Sequence, residues 1–346
     1  MNIHHEKLKQ FAQDIFAKAG CQPPEDEQIA RHLVASNLAG HDSHGVIRIP
    51  RYLHFLREGM VRSNRNVSVV LESDVITVLD ADGGFGQSMG EQAMQRGIEK
   101  ALNHGVSVMA LRNSGHLGRI GEWAEMGTAA GLVSLHWVNS SGFAMLVAPF
   151  GGMQRRLSVN PISVGIPVEG GDPIVLDIST GAIAEGKVRV ALNKGEQLPP
   201  GCVIDSSGRE TVNPEDFYAD PPGSILTFGS HKGYGLSVIT EVLAGVLTGS
   251  GCCDPEAPAL INGMLTILLD PQKFAQDTGF ADGVKHMIDY VKSARTIDPD
   301  GEILMPGELE FRTRARRMEE GIELDDRTWS DLVDAAESLG VEVGND

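Results

Sequence analysis

The sequence predicts an α/β fold with helical segments at both ends of the chain. β-Branched runs alternate with segments of helical apolar spacing through the middle, whereas the first and last segments show helical spacing alone. The 41 glycines have no fixed period, so they indicate tight turns and close backbone approaches rather than repeats. With 346 residues, 41% of them hydrophobic, the chain can bury one large core or two modest ones.

The composition excludes several classes of partner. A formal net charge of -18 repels nucleic acid and anionic membrane surfaces. The longest apolar stretch, residues 236–247, carries polar residues and is shorter than the roughly 20 residues that a membrane span needs. The N-terminus has the pattern of an amphipathic helix and not of a signal peptide. The four cysteines lack metal or disulfide spacing, so we expect a cytoplasmic protein with reduced thiols.

Two helices are predicted at the N-terminus. The first has its apolar residues at helical spacing: Leu8, Phe11, Ala12, Ile15, Phe16 and Ala19. The second begins after Pro23 and Pro24 with three acidic residues in its first turn, which complement the helix dipole, and runs to about Gly40. The polar segment 41–45 then interrupts the helical period, so we interpret it as a candidate site.

The central region is predicted to alternate strands and helices. A hairpin from segments 67–71 and 75–79 precedes a helix over 88–103. The remaining predicted elements are strands at 106–111, 132–138, 162–167, 174–176 and 264–269, a helix around Trp123, a buried helix over 234–248, a helix around 284–291, and a C-terminal helix from Asp325 to Leu339.

A glycine-rich segment resembles a dinucleotide-binding fingerprint without matching it. Gly90 follows Gly86 by four positions, whereas in the strict pattern the third glycine follows the second by three. Asp80 and Asp82 stand before these glycines, and their carboxylates would repel a pyrophosphate at the start of the next helix. We therefore predict a closely packed turn here and no Rossmann site.

Three histidines, His44, His116 and His231, occupy polar, glycine-flanked segments. An imidazole transfers protons near neutral pH and hydrogen-bonds carbonyl or alcohol oxygens, which suits hydride-transfer chemistry. Arg48 lies one helical turn after His44, where its guanidinium could hold a substrate carboxylate. Lys232 precedes a glycine-rich helix start suited to phosphate.

The residues alone leave other interpretations open. Each histidine could be structural, and each cation could form a surface ion pair or be solvated. Metal ligation by His41, Asp42 and His44, completed by other side chains, lacks a recognised spacing. Hydrolysis by Ser43 lacks the strand–turn–helix motif that exposes such a nucleophile.

Longer motifs carry a resemblance to a known family. Residues 41–50, His-Asp-Ser-His-Gly-Val-Ile-Arg-Ile-Pro, resemble the N-terminal signature of the type 2 malate/L-lactate (sulfolactate dehydrogenase-like) dehydrogenases. The resemblance continues, in order along nearly the whole chain, through segments 113–121, 158–161, 176–179, 186–187, 231–235 and 306–308.

This resemblance implies a fold and an activity. The fold would be a non-Rossmann, mixed-sheet nicotinamide-binding domain over 71–294, joined to a helical region from both termini, 1–70 plus 295–346. The activity would be hydride transfer between NAD or NADP and a small 2-oxo or 2-hydroxy acid, in a homodimer that encloses the site. A reductase of cyclic imino acids such as piperideine-2-carboxylate is the alternative enzyme, and a catalytically silent small-molecule binding protein is the alternative from another class.

The resemblance also implies residue roles. His116 would be the general acid/base, His44 would lie against the nicotinamide and substrate, and Arg48 would hold the substrate carboxylate. Ser43, Arg48, Tyr52 and His116 would contact the substrate, and no metal is expected. The cofactor contacts would be His44, Gly118, Arg119, Ile120, Val175, Leu176, Asp177, Ile178, Ser179, His231, Lys232, Asn262, Gly307, Glu308, Leu309 and Glu310.

Overall fold

The computed structural model describes residues 1–142, 145–257, 259–274 and 279–342. A seven-stranded sheet in the order β2-β3-β4-β11-β5-β6-β7 forms its centre. The strands are β1 (Asn2–Ile3), β2 (Ser68–Glu72), β3 (Ile76–Asp80), β4 (Val106–Ser114), β5 (Val133–Ser141), β6 (Ile162–Ile166), β7 (Ile174–Ile178), β8 (Val203–Ile204), β9 (Glu210–Thr211), β10 (Ser224–Ile225), β11 (Ile261–Leu269) and β12 (Ile322–Glu323).

Helices flank this sheet and form both ends of the chain. They are α1 (His5–Lys18), α2 (Glu25–Leu38), α3 (Ile49–Arg57), α4 (Gly86–His104), α5 (Gly121–Ala129), α6 (Glu185–Lys194), α7 (Pro214–Tyr218), α8 (His231–Thr240), α9 (Pro271–Phe274), α10 (Phe280–Lys292), α11 (Glu308–Glu320) and α12 (Asp326–Ser338). Segments 42–44 and 46–48 are short 3₁₀ turns, and α8 continues as a π-helical turn over Glu241–Val246.

The sheet is mixed, as expected. Strands β3 and β4 pair in parallel, whereas β11 pairs antiparallel with both β4 and β5. The predicted hairpin is confirmed, because β2 and β3 are antiparallel neighbours. Strand β4 therefore lies inside the sheet, and the loop after its last residue, Ser114, starts from a rigid, buried element.

Both termini contribute to one hydrophobic core. Leu8 and Phe16 of the N-terminal helix are packed in the same buried cluster as Ile322 and Leu332 from the end of the chain. Strand β1 also pairs antiparallel with β12, which ties the first residues to the segment before α12. Asp325 caps the predicted C-terminal helix α12, since its carboxylate accepts a hydrogen bond from the Thr328 backbone N–H at 2.9 Å.

The prediction that residues 234–248 form a buried helix is wrong in its burial. The segment is helical, but five large apolar side chains on it are exposed: Leu236, Ile239, Val242, Val246 and Leu247. Apolar residues on every side predicted burial, whereas only one side packs against the sheet. There, Gly263 lies so close to the helix that a Cβ atom would be 2.0 Å from the Ala244 carbonyl oxygen.

Helices α6 and α11 and the small sheet β10-β8-β9 were not predicted from the spacing. Helix α11 has many charged residues, ELEFRTRARRMEE, and no buried side chain. It therefore lacks the apolar stripe by which the other long helices were recognised.

A buried histidine joins the N-terminal helices to the central domain. His32 of α2 is 4% exposed, its Nδ1 lies 2.7 Å from Glu122 Oε1 of α5, and its Nε2 lies 3.4 Å from Glu91 Oε2 of α4. Burial alone would lower the pKa of this imidazole, but the two carboxylates outweigh that effect and raise the pKa to about 9. His32 is therefore a buried cation at neutral pH.

Replacing His32 with asparagine is expected to lower the free energy of unfolding by about 3 kcal/mol at acidic to neutral pH, because Glu91 and Glu122 lose the buried cation that they share. The pKa in the folded chain lies above the unfolded value of about 6.5. The stabilisation is therefore complete below that value and is lost as the pH rises through about 9. Urea unfolding across this range checks it, with the exposed His54→Asn as control. A stability difference that does not shrink at alkaline pH would contradict the assignment.

Candidate active site

Two imidazoles from distant segments meet at the junction of the helical ends and the sheet. The rings of His44 and His116 are stacked, with centroids 5.7 Å apart and planes inclined by 11°. Both residues are half-buried. Two cavities lie elsewhere: one of about 430 Å³ beside Cys252 and Cys253, and one of about 320 Å³ behind the His44 segment.

Asn37 at the end of α2 shapes the segment that carries His44. Its Oδ1 accepts the Val46 backbone N–H at 2.9 Å, and its Nδ2 donates to Asp42 Oδ1 at 2.7 Å. A Cβ on Gly45 would lie 2.1 Å from the same Oδ1, so this turn requires glycine. The buried Asn37 amide therefore stabilises both 3₁₀ turns, 42–44 and 46–48, through hydrogen bonds.

The loop after β4 carries His116 and packs against the glycine-rich start of α4. A Cβ on Gly86 would lie 2.2 Å from the His116 carbonyl oxygen. This contact confirms the prediction that the glycine-rich segment is a closely packed turn. Gln87 follows Gly86, and its Nε2 donates to that carbonyl at 3.3 Å and to the Tyr52 hydroxyl at 3.0 Å.

Tyr52 sets the orientation of the His116 ring. Its hydroxyl oxygen lies 2.7 Å from His116 Nδ1 and already accepts the Gln87 amide, so its own proton is available for Nδ1. This network assigns the proton of neutral His116 to Nε2, the ring nitrogen that is not bonded to Tyr52. His116 therefore has one nitrogen fixed by the protein and one free for a substrate.

Both site imidazoles are neutral at neutral pH. Burial, followed by the nearby Arg48 guanidinium, lowers the pKa of His44 to about 3. The same two causes, with the neighbouring His44, lower the pKa of His116 well below its usual range. The site is thus electropositive through its arginines and carries neutral rings, which favours an anionic ligand.

Arg48 lies beside the imidazoles with its terminal nitrogens available. Its Nε donates to the Ser43 carbonyl oxygen at 2.6 Å, and no other hydrogen bond of this side chain is seen among the described residues. The Ser43 hydroxyl lies 3.1 Å from His44 Nδ1, and a Cβ on Gly186 of α6 would be 3.3 Å from Ser43 Cβ. Ser43, His44, Arg48, Tyr52 and His116 are therefore brought together.

Most of the expected cofactor residues lie on adjoining segments. Arg119 is buried, and its Nη2 lies 2.6 Å from Glu125 Oε1, while its Nε is 3.8 Å from Asp177 Oδ2. Asp177 Oδ2 also accepts the Gly121 backbone N–H at 2.8 Å. The segment Gly118–Ile120 is thereby attached to the end of β7, which contains Val175, Leu176 and Ile178 and leads to Ser179.

The segment 307–310 meets the same strand. The Val175 backbone N–H donates to the Pro306 carbonyl oxygen at 2.9 Å, and Gly307, with φ of +96°, begins α11 directly against Val175. Glu310 Oε1 lies 3.3 Å from His41 Nε2. Glu308 forms an ion pair with Lys292, whereas Leu309 is 62% exposed.

Asn262, His231 and Lys232 have different surroundings. Asn262 is buried, and its Oδ1 accepts the Leu117 backbone N–H at 2.8 Å, so it supports the His116 loop. His231 and Lys232 are exposed at the start of α8, after a loop in which the Phe228 backbone N–H donates to the Thr180 carbonyl. The His231 ring packs on Phe150 at 6.0 Å and not on the His44–His116 pair.

The described residues include no metal-ligand cluster, no disulfide and no membrane-spanning helix. In the described part of the chain, no group of three or more His, Cys, Asp and Glu side chains could hold a metal ion. All four cysteines are free, including the adjacent Cys252 and Cys253. No helix within the described ranges is long and apolar enough to cross a membrane.

Two supporting residues, Asn37 and Gln87, escaped the sequence analysis. Both are buried amides inside helices, at 1% exposure each, and nothing in the spacing separates them from ordinary helix residues. Their role follows from contacts alone: Asn37 bonds a backbone N–H and a carboxylate of the segment that carries His44, and Gln87 joins the His116 backbone to the Tyr52 side chain.

Comparison with known proteins identifies the family to which the chain belongs. The sequence model of the malate/L-lactate dehydrogenase family matches residues 3–333. Hydroxycarboxylate dehydrogenase B of Escherichia coli O157:H7 is 43% identical, over 97% of this chain and 94% of that relative.

Two solved structures are similar along almost the whole chain. A proposed malate/lactate dehydrogenase from Escherichia coli is 40% identical, with a TM-score of 0.94 over 99% of this chain and 96% of that one. A delta1-piperideine-2-carboxylate reductase from Pseudomonas syringae pvar. tomato is 32% identical, with a TM-score of 0.86 over 97% of this chain and 100% of that one. The expected resemblance is confirmed, and the chain belongs to the malate/L-lactate dehydrogenase family.

Proposed function

We propose that the chain is a nicotinamide-dependent 2-hydroxy acid dehydrogenase whose site contains His44, Arg48 and His116. The stacked pair of neutral imidazoles beside an available guanidinium is the observation that carries the proposal. An imidazole can exchange a proton with the substrate oxygen, and the guanidinium fork matches a carboxylate. Family membership supports the same reaction class.

The cofactor segments fit a ligand rich in acceptor oxygens. Arg119 Nε and Nη1 are buried and have no hydrogen-bond partner among the described residues. Gly118 and Gly307 both have positive φ, and a Cβ on Gly307 would press against Val175 and Phe311. Ribose hydroxyls and phosphate oxygens of NAD or NADP would be held by Gly118–Ile120, Val175–Ser179, Gly307–Glu310, His231 and Lys232. Asn262 would support this site from behind.

Residues of the chain then supply the proton and bind the negative charge of the substrate. A bound reduced nicotinamide supplies the hydride. Arg48 holds the carboxylate of the 2-oxo acid, and the anion favours the protonated form of His116 that the free chain disfavours. The imidazolium gives its Nε2 proton to the carbonyl oxygen, and Nδ1 remains bonded to Tyr52, whose hydroxyl can accept or donate. Ser43 orients His44 beside the substrate.

The scaffold proposed for this activity is a non-Rossmann domain over 71–294 with a helical region from 1–70 and 295–346. The mixed sheet, with its parallel β3–β4 pair beside antiparallel neighbours, supports the first part. The hydrophobic core shared by the two ends of the chain supports the second. We also propose a cytoplasmic location, with which free thiols agree.

We further propose a homodimer, and two apolar faces support it. The helix and the residue that follows it, 231–247, expose large apolar side chains that include Leu247, and α10 has no buried residue although Val284, Met287, Ile288 and Val291 share one side. Contiguous exposed apolar residues on a helix face are a common mark of a protein interface. A second copy would cover them and enclose the half-buried imidazoles.

A steady-state screen tests the proposed function. Purified protein is mixed with NADH or NADPH and with pyruvate-like 2-oxo acids, or with a cyclic imine such as piperideine-2-carboxylate. We expect cofactor oxidation with at least one 2-oxo acid at rates well above those with the imine. Faster turnover of the imine would favour the imine reductase, and no oxidation with any substrate would favour a binding protein.

His116→Ala is expected to lower kcat by about 10²- to 10⁴-fold, because the substrate oxygen loses its proton donor. The dissociation constant of the reduced cofactor, measured by its fluorescence, should change little. His104→Ala, outside the site, serves as the matched control. A variant with a near-normal kcat would remove His116 from the reaction.

Arg48→Ala is expected to raise the KM for the 2-oxo acid by roughly tenfold or more, since a charge-assisted hydrogen bond contributes about 1.5–3 kcal/mol. Arg48→Lys should recover only part of this, because lysine cannot form the bidentate fork. Arg57→Ala on the exposed side of α3 is the control. An unchanged KM in Arg48→Ala would mean that the carboxylate is held elsewhere.

Leu247→Glu is expected to shift the protein from dimer to monomer, because it buries a carboxylate in the proposed interface. Light scattering coupled to size-exclusion chromatography gives the mass directly. Val190→Glu, at a similarly exposed apolar position on α6, should remain dimeric. A monomeric wild type, or a dimer unaffected by Leu247→Glu, would contradict this interface.

A further inference from the structure

One face of α11 carries a row of charged residues that contact the active-site segments. Glu310, Arg314 and Arg317 are spaced by four and three residues, so they lie on the same side of the helix. Their partners are, respectively, His41 at 3.3 Å, Glu125 at 2.7 Å and Asp42 at 2.7 Å. This row, Glu310–Arg314–Arg317, is called the α11 polar face below.

Arg317 binds the first turn of the segment that carries His44. Its Nη1 donates to Asp42 Oδ1 at 2.7 Å and its Nη2 to Asp42 Oδ2 at 3.0 Å, the parallel fork that arginine forms with a carboxylate. The same Nη1 also donates to the Asn37 carbonyl oxygen. One guanidinium thus joins α11 to the end of α2 and to the turn that precedes Ser43 and His44.

Asn37 connects Asp42, which Arg317 binds, to Val46 on the other side of His44. Its Nδ2 donates to the same Asp42 carboxylate that Arg317 holds, at 2.7 Å. Its Oδ1 accepts the Val46 backbone N–H, and Gly45 packs directly against it. Asp42 and Val46 stand on either side of His44, so displacement of Asp42 would move the imidazole.

The other end of the α11 polar face reaches the proposed cofactor segments. Arg314 Nη2 binds Glu125 Oε2, and Glu125 Oε1 binds Arg119, which in turn faces Asp177. Gly307, at the start of the same helix, packs against Val175. A single helix therefore contacts both the cofactor segments and the segment carrying His44.

We propose that Arg317 is a positioning residue for His44 and Arg48, and that α11 connects the cofactor segments to the segment that carries them. This inference rests on the proposed function. Its physical basis is the rigidity of a helix anchored at several points by hydrogen-bonded ion pairs. When a bound cofactor fixes the first turn of α11, Arg317 in its last turn fixes Asp42. The segment that carries His44 is then held in place as well.

The exposure of the Arg317–Asp42 ion pair distinguishes a positioning role from a contribution to the stability of the fold. The Arg317 side chain is 17% exposed and that of Asp42 is 49% exposed. A half-exposed ion pair contributes only about 0–1 kcal/mol to stability. Its removal should therefore leave folding almost unchanged, whereas a displacement of about 1 Å at a catalytic group can cost 10²-fold in rate.

The first experiment compares Arg317→Ala, Arg317→Lys and the control Arg316→Ala, an exposed arginine next to it on α11. We expect Arg317→Ala to lower kcat for the 2-oxo acid about 10- to 100-fold, with a dissociation constant for NADH within about twofold of wild type. Arg317→Lys should recover part of the rate, and Arg316→Ala should behave as wild type. Arg317→Ala combined with Asp42→Ala should cost less than the sum of the two single variants, because both break the same ion pair.

The second experiment does not depend on turnover. Backbone hydrogen exchange, read by mass spectrometry, should be faster in segment 41–48 of Arg317→Ala than in wild type or Arg316→Ala, at similar Tm. Equal exchange in segment 41–48, or kinetics of Arg317→Ala like those of Arg316→Ala, would overturn the proposal. A wild type inactive on every 2-oxo acid would instead refute the proposed function, and the exchange rates would still decide whether Arg317 positions the turn.

Discussion

The stacked contact between His44 and His116 is the constraint on which the rest of the structure depends. The two rings come from segments far apart in the chain, one after the N-terminal helix pair and one after a central strand. Bringing them together requires the helical ends to dock on the sheet in one orientation. The buried His32 ion pairs and the hydrogen bond from Tyr52 to His116 both cross that junction.

Buried amides and glycines hold the rings of His44 and His116 at their separation of 5.7 Å. Asn37 supports the turn of His44, Gln87 supports Tyr52, and Asn262 supports the loop of His116. Gly45 and Gly86 allow backbones to approach more closely than any side chain would permit. Rigid positioning of this kind is the main service that a protein offers to a reaction whose hard chemistry belongs to a cofactor.

The apolar spacing predicted the α/β class and most strands, and the family resemblance implied that His44, Arg48, Tyr52 and His116 lie together in a mixed-sheet fold. Prediction from the sequence succeeded where apolar period or motif spacing is strong, as in α1 and the β2–β3 hairpin. It missed α11, because a helix whose charged residues make its contacts has no apolar stripe to recognise. It also took the helix at 234–248 for a buried one, because a helix that is apolar on every side does not reveal from its composition which side packs against the core.

Transfer of deuterium tests the central claim most directly. Protein is incubated with a 2-oxo acid and reduced nicotinamide deuterated at the transferred position, and the product is analysed by NMR. The account predicts deuterium on the carbon that bore the oxo group, in one stereoisomer, because the substrate is held in one orientation between Arg48 and the two imidazoles. Product without deuterium, or no product from any 2-oxo acid, would contradict it.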